Sequence, residues 1–227
     1  MLLLALSCFQ GRTQDAAFDA VRVHDVDGVQ LTPGNLPSPG FRERIAAYDG
    51  AVRLHHRFGW EVYRREIYDG GGDAVGVRHD QSIHPPKRGD PRVADPVRWI
   101  ERAAHDDLLL ETMYPGYVLG SGAELEVAMD VGARLAVDVS HLHLQRHAGV
   151  LSDATVRRVL GYARIEEVHV SNNDGRGDQH APLDAGTPYL GWARERLEDL
   201  PVVVESYWHR LTFDEQRRQV AFLRDGT

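Results

Sequence analysis

Short apolar runs recur along the whole chain, at residues 2–7, 28–32, 51–56, 81–84, 108–111, 134–138, 167–171 and 201–205. Each is about as long as a strand buried on both faces, which reads as a continuous hydrophobic run. The segments between them carry helix signals. Residues 14–21, 41–48, 97–104 and 152–160 are amphipathic. Asp95-Pro96 and Thr187-Pro188 each place a capping side chain before a first-turn proline. Ser121 with Glu124, and Thr212 with Glu215, have capping-box spacing. In the last segment Val220, Phe222 and Leu223 can face a core. A further helix is expected over 60–67, followed by a loop at Asp69-Gly70-Gly71-Gly72-Asp73.

Strands alternating with helices imply a parallel sheet. Eight such units predict an α/β protein built as a single (β/α)8 TIM barrel, one domain over residues 1–227. An open doubly wound sheet would want a glycine-rich phosphate turn after the first strand. Cys8-Phe9-Gln10-Gly11-Arg12 is not one.

Composition narrows the function classes. An apolar fraction of 42% supports one sizeable core and excludes a disordered chain. The net charge of −8 disfavours nucleic acid as a partner, because a duplex binder needs many cationic phosphate contacts. A single cysteine, Cys8, excludes an internal disulfide and a CxxC zinc site. No apolar stretch reaches the roughly 18 residues of a membrane span. The apolar opening, 1–7, lacks a basic leader and reads as a first strand, so a cytoplasmic location is expected. A small-molecule substrate and no membrane partner are expected, with room for a homo-oligomer.

Twelve histidines is a high count for this length, and many fall at strand ends. In a barrel, chemistry sits at the carboxyl ends of the strands. The third strand ends in Leu54-His55-His56, the fourth in Ile83-His84, the fifth in Leu110-Glu111, and the sixth in Val137-Asp138 with His141 three residues on. The seventh carries His169, and its loop carries Asp178 and His180; the eighth ends in Val204-Glu205. A carboxylate at the end of an apolar run loses its hydration, which costs several kcal/mol unless it is paired or metal-bound. Glu111, Asp138 and Glu205 around one barrel mouth would repel one another without a cation among them. Imidazole and carboxylate together suit zinc, manganese, iron or cobalt. His24, His79, His105, His143, His147 and His209 are expected at the surface or in packing.

The order of these strand ends resembles the xylose isomerase-like barrel superfamily, which includes sugar isomerases, epimerases and endonuclease IV. The resemblance spans about Leu54 to Glu205. It rests on Asp138-x-x-His141, the His169-Val170-Ser171-Asn172 run, and Asp178-x-His180 followed by Gly186, with Glu111 before and Glu205 after. It implies one divalent metal ion (Mn, Zn, Co, Mg or Fe) on Glu111, Asp138, His169 and Glu205. In the endonuclease IV branch the site expands to three ions, with His55, His84, His141, Asp178 and His180 as the matching extra ligands. Phe58, three residues after His55, favours His55 over His56.

The resemblance implies an isomerase or epimerase first. In that reading the metal is a Lewis acid at the carbonyl of a small sugar-like substrate, stabilising an enediolate, and Glu111 and Glu205 move the proton. His56, Arg57, Lys87, Arg176 and Trp208 are candidates for substrate contacts. The alternatives are a multinuclear phosphoester hydrolase, a metal-dependent tailoring enzyme on the same scaffold, and a non-catalytic metal-binding barrel.

Overall fold

The computed structural model describes residues 1–63 and 80–226. Residues 60–63 of the expected 60–67 helix are not helical; its remainder, the glycine-rich loop after it and His79 lie outside the described residues. The strands are β1 (Leu2–Ala5), β2 (Gly28–Leu31), β3 (Ala51–His55), β4 (Gln81–Ile83), β5 (Leu109–Glu111), β6 (Arg134–Asp138), β7 (Ile165–Val170) and β8 (Val202–Val204). They follow one another in sequence order as a closed parallel barrel. The helices are α1 (Gln14–Arg22), α2 (Phe41–Ala46), α3 (Pro96–His105), α4 (Gly122–Asp130), α5 (Val139–His147), α6 (Asp153–Leu160), α7 (Leu190–Glu195) and α8 (Phe213–Arg224). No described helix is long and apolar enough to cross a membrane.

The chain divides into two compact units. The first holds β8, β1, β2 and β3 side by side, with Leu2 opposite Val202, Leu3 opposite Gly28, and Val29 opposite Val52. Every residue of β1, β2 and β8 is buried: β1 and β8 are continuous apolar runs, and β2 carries Gln30 between Val29 and Leu31. Gly28 is dictated by close approach: a Cβ there would lie 2.1 Å from the Ala51 carbonyl oxygen. Helix α1 covers this sheet with Ala17, Phe18 and Val21, and Thr13 caps it by accepting from the Ala16 amide.

The second unit holds β4, β5, β6 and β7, with Ser82 opposite Leu109, Glu111 opposite Ala136, and Asp138 opposite His169. Between Leu135 and Ala136 the register with β7 shifts, so Leu135 faces Ile165 but Ala136 faces Glu167. The extra residue, Glu166, accepts a two-pronged pair from Arg134, at 2.7 and 2.6 Å. A bulge of this kind re-aims the side chains that follow it. Here it sets Glu167 and His169 on the face shared by Ala136 and Asp138.

Several local expectations shift. The first strand stops at Ala5 and the chain turns through a short 3-10 helix, Leu6–Phe9. Thr187-Pro188 does not start a helix: the Thr187 hydroxyl accepts from the Asp184 amide, and α7 begins after Tyr189, which has a left-handed backbone (φ 57°). At α4 the Ser121 hydroxyl bonds the Glu124 carboxylate instead of a backbone amide. At α8 the Thr212–Glu215 capping box forms as expected. Helix α5 begins directly at the end of β6, with no intervening loop.

Candidate metal centre

Six of the expected ligands converge within the second unit. Glu111 ends β5, Asp138 ends β6, His169 lies in β7, His84 follows β4, His141 lies in the first turn of α5, and Asp178 lies in the loop after β7. All six side chains are nearly or fully buried. Glu111 is the hub. Its Oε2 lies 3.1 Å from His84 Nε2 and 3.6 Å from His169 Nδ1, and its Oε1 lies 3.3 Å from His141 Nδ1. Glu111, Asp138 and His169 each offer a ligand atom within 4.8 Å of the others.

Asp138 has two jobs, one for each oxygen. Oδ1 accepts from the amides of Ser140 and His141, at 2.7 and 3.0 Å, which caps α5. Oδ2 is buried and receives no hydrogen bond among the described residues. The backbone amide of Asp138 donates to Thr112 Oγ1 at 2.9 Å, so β5 fixes the end of β6.

Thr112 also orients His141, whose Nδ1 lies 2.9 Å from the Thr112 carbonyl oxygen. A carbonyl only accepts, so Nδ1 carries the proton and Nε2 faces Asp178 Oδ2, 3.3 Å away. Burial opposes the imidazolium, but Asp138 and Asp178 outweigh it and hold the His141 pKa well above its usual value. Burial likewise opposes the Glu111 anion, but His84 and His169 beside it hold its carboxyl well below the usual range.

The loop carrying Asp178 is tied to α5. Asn173 donates its side-chain amide to the Ser140 carbonyl at 2.9 Å, and its Oδ1 accepts from the Gly175 amide at 2.8 Å. The Asp174 amide donates to the Gln179 side chain, and the Asp174 carboxylate accepts from the Arg176 amide. Gly175 adopts φ +79°, and a Cβ there would meet the His147 ring at 2.6 Å.

The donor set fits a divalent ion. The buried carboxylates of Glu111, Asp138 and Asp178 stand among imidazoles, and Asp138 Oδ2 makes no hydrogen bond among the described residues, with His141 Nδ1 3.5 Å away.

The other expected residues stand as follows. In the first unit His55 ends β3, and His56 follows it in a left-handed turn (φ 47°); both are buried. Glu205 follows β8, is 5% exposed, and donates its amide to the Val170 carbonyl. His180 is buried with φ 45° and stacks on Tyr207, ring centroids 4.9 Å apart. Arg57 is half-buried, while Lys87 and Arg176 are exposed. Trp208 is fully buried, edge-on to Phe9 and His24, so it packs the core and does not wall an open pocket. His24 is buried against Trp208 and Phe213, while His105 and His147 are exposed.

Sequence reasoning passed over Glu167, Ser82, Thr112 and Tyr114. Glu167 is fully buried and receives the Ser82 hydroxyl at 2.6 Å. Tyr114 stands edge-on to His141 at 4.9 Å, and burial pushes its phenol far up. The alternation Glu167-Val168-His169 was the available signal for Glu167: residues two apart on a strand share a face.

No family model matches the chain, and no curated protein matches it by sequence. Solved structures do. The TTHB071 protein from Thermus thermophilus, from a crystal soaked with ZnCl2, is 18% identical, with a TM-score of 0.53 over 98% of this chain and 95% of that one. A D-allulose 3-epimerase from Methylomonas sp. is 13% identical, with a TM-score of 0.53 over 97% of this chain and 89% of that one. At these identities the likeness establishes the fold alone: the chain is a (β/α)8 barrel.

Proposed function

We propose that this protein is a divalent-metal-dependent isomerase or epimerase acting on a small hydroxylated carbonyl compound. The observation that carries the reading is the buried meeting of Glu111, Asp138 and His169 within 4.8 Å, on a barrel like that of a D-allulose 3-epimerase. Glu205, the buried carboxylate at the end of β8, is the fourth ligand in this reading. A bound divalent ion supplies Lewis acidity at the substrate carbonyl, which acidifies the neighbouring C–H.

The chain's own residues do the rest. Glu111 and Glu205 serve as the proton-moving pair: one carboxylate takes the proton from the carbon beside the carbonyl, and the other returns a proton to carbon or oxygen. Burial keeps bulk water away from that proton. Asp138 is committed to α5 through Oδ1, so only Oδ2 is left for an ion. His84 and His141 hold Glu111 in place from two sides. In this reading Arg57, Lys87 and Arg176 are candidates to meet a phosphate or carboxylate on the substrate.

The test is exchange of substrate carbon-bound hydrogen with solvent. Protein loaded with Mn²⁺ or Co²⁺ is incubated with a panel of ketoses in D2O, and deuterium at the carbon beside the carbonyl is read by NMR. Incorporation that needs both metal and Glu205 supports the reading; its absence across the panel, with metal bound, counts against it.

A second reading has its own support. Asp178 stands 3.3 Å from His141 Nε2, two groups that a further ion could join, and the TTHB071 crystal was soaked with zinc. Two or three ions per chain would favour phosphoester hydrolysis.

A further inference from the structure

We propose that Glu167 is a positioning residue for the metal centre. By accepting the Nε2 proton of His169, it commits Nδ1 of that ring as the atom that faces the ion. The proposal rests on the metal reading above, and it adds a residue that neither the strand-end pattern nor the expected ligand set contains.

Glu167 is fully buried and lies two residues before His169 on β7, so the two side chains leave the strand on one face. The register shift opposite Leu135/Ala136 selects that face, diverting Glu166 to Arg134. Glu167 Oε1 accepts the Ser82 hydroxyl at 2.6 Å and lies 2.7 Å from His169 Nε2. Ser82 is itself fully buried in β4, so the carboxylate is anchored from a second strand.

An oxygen already accepting from Ser82 accepts again from His169, which makes Nε2 the protonated nitrogen. The other nitrogen, Nδ1, lies 3.6 Å from Glu111 Oε2. A carboxylate behind a ligating histidine fixes both the ring's tautomer and its rotation and raises its basicity as a ligand. The same hydrogen bond holds the ring against rotation before any ion arrives, which lowers the ordering cost of binding.

The test has two readouts, neither of them turnover. In metal-free protein labelled with 15N-histidine, His169 Nε2 should carry a proton; an unprotonated Nε2 overturns the proposal. This measurement needs no variant and decides whether or not metal binds. The second readout is Zn²⁺ affinity, measured by competition with a chromophoric chelator, with folding of each variant checked by circular dichroism. Glu167→Leu removes the acceptor and should weaken binding about 10–100-fold. Glu167→Gln keeps an oxygen that can accept both bonds and should recover most of that loss. A folded Glu167→Leu variant that binds Zn²⁺ as tightly as the parent overturns the proposal. So does a Glu167→Gln variant that loses binding entirely, because Glu167 would then be a ligand and not a positioning residue. A parent protein that binds no Zn²⁺ contradicts the metal reading instead, and leaves the Nε2 proton to decide the role of Glu167.

Discussion

His141 Nε2 lies 3.3 Å from the carboxylate of Asp178, while Nδ1 of the same ring meets the Thr112 carbonyl at 2.9 Å. A lone pair on Nε2 facing a carboxylate is repulsive unless a proton or a cation sits between them. In the metal-free protein a proton fills that role, and it makes stability depend on pH. The His141 pKa is raised in the folded state, so its contribution is fully present below the unfolded value of about 6.5 and is lost as pH rises through the higher folded value. Asp178→Asn should flatten this dependence, read as melting temperature against pH without metal. Identical profiles for parent and variant would contradict the pairing.

Glu205→Gln should leave the fold and melting temperature near those of the parent. Loss of a proton-transfer group should lower turnover by about 10²–10⁴-fold. The measurement is the initial rate on whichever substrate shows solvent exchange, with circular dichroism as the folding control. A fully active variant would remove Glu205 from the proton-moving pair.

Gly175→Ala should destabilise the loop that carries Asp178, since φ is +79° and the new Cβ would crowd the His147 ring. The expected cost is about 1 kcal/mol or more, seen as a lower denaturation midpoint. Gly28→Ala should be worse, because its Cβ would strike the Ala51 carbonyl, which belongs to the neighbouring backbone and cannot swing aside. Equal stability of the two variants would show that β2 and β3 can separate more easily than their register implies.

Much of the fold was legible because the strands are buried on both faces: continuous apolar runs mark β1 and β8, and β6 has an apolar centre, Leu135–Val137, without relying on periodicity. Capping chemistry located α3 and α8, where Asp95 and Thr212 bond the first-turn amides. Helix α5 escaped because Asp138 serves both as the last strand residue and as the helix cap, so no loop composition separates the elements. The candidate ligands at strand ends stood out because a charged group after an apolar run has few harmless explanations. Glu167 was passed over because it lies inside β7 and not at its end; its spacing two residues before His169 already puts the two side chains on one face. Trp208, a candidate substrate contact in the sequence, is instead carried into the core against Phe9 by the turn after β8.

The most direct test is metal content per chain, by elemental analysis of protein prepared without a metal-binding tag, before and after reconstitution and for Asp138→Asn beside the parent. About one manganese, cobalt or zinc ion per parent chain, lost in a folded Asp138→Asn variant, is the expected result. A parent chain that holds no divalent ion and takes none up would contradict the metal centre and the chemistry derived from it.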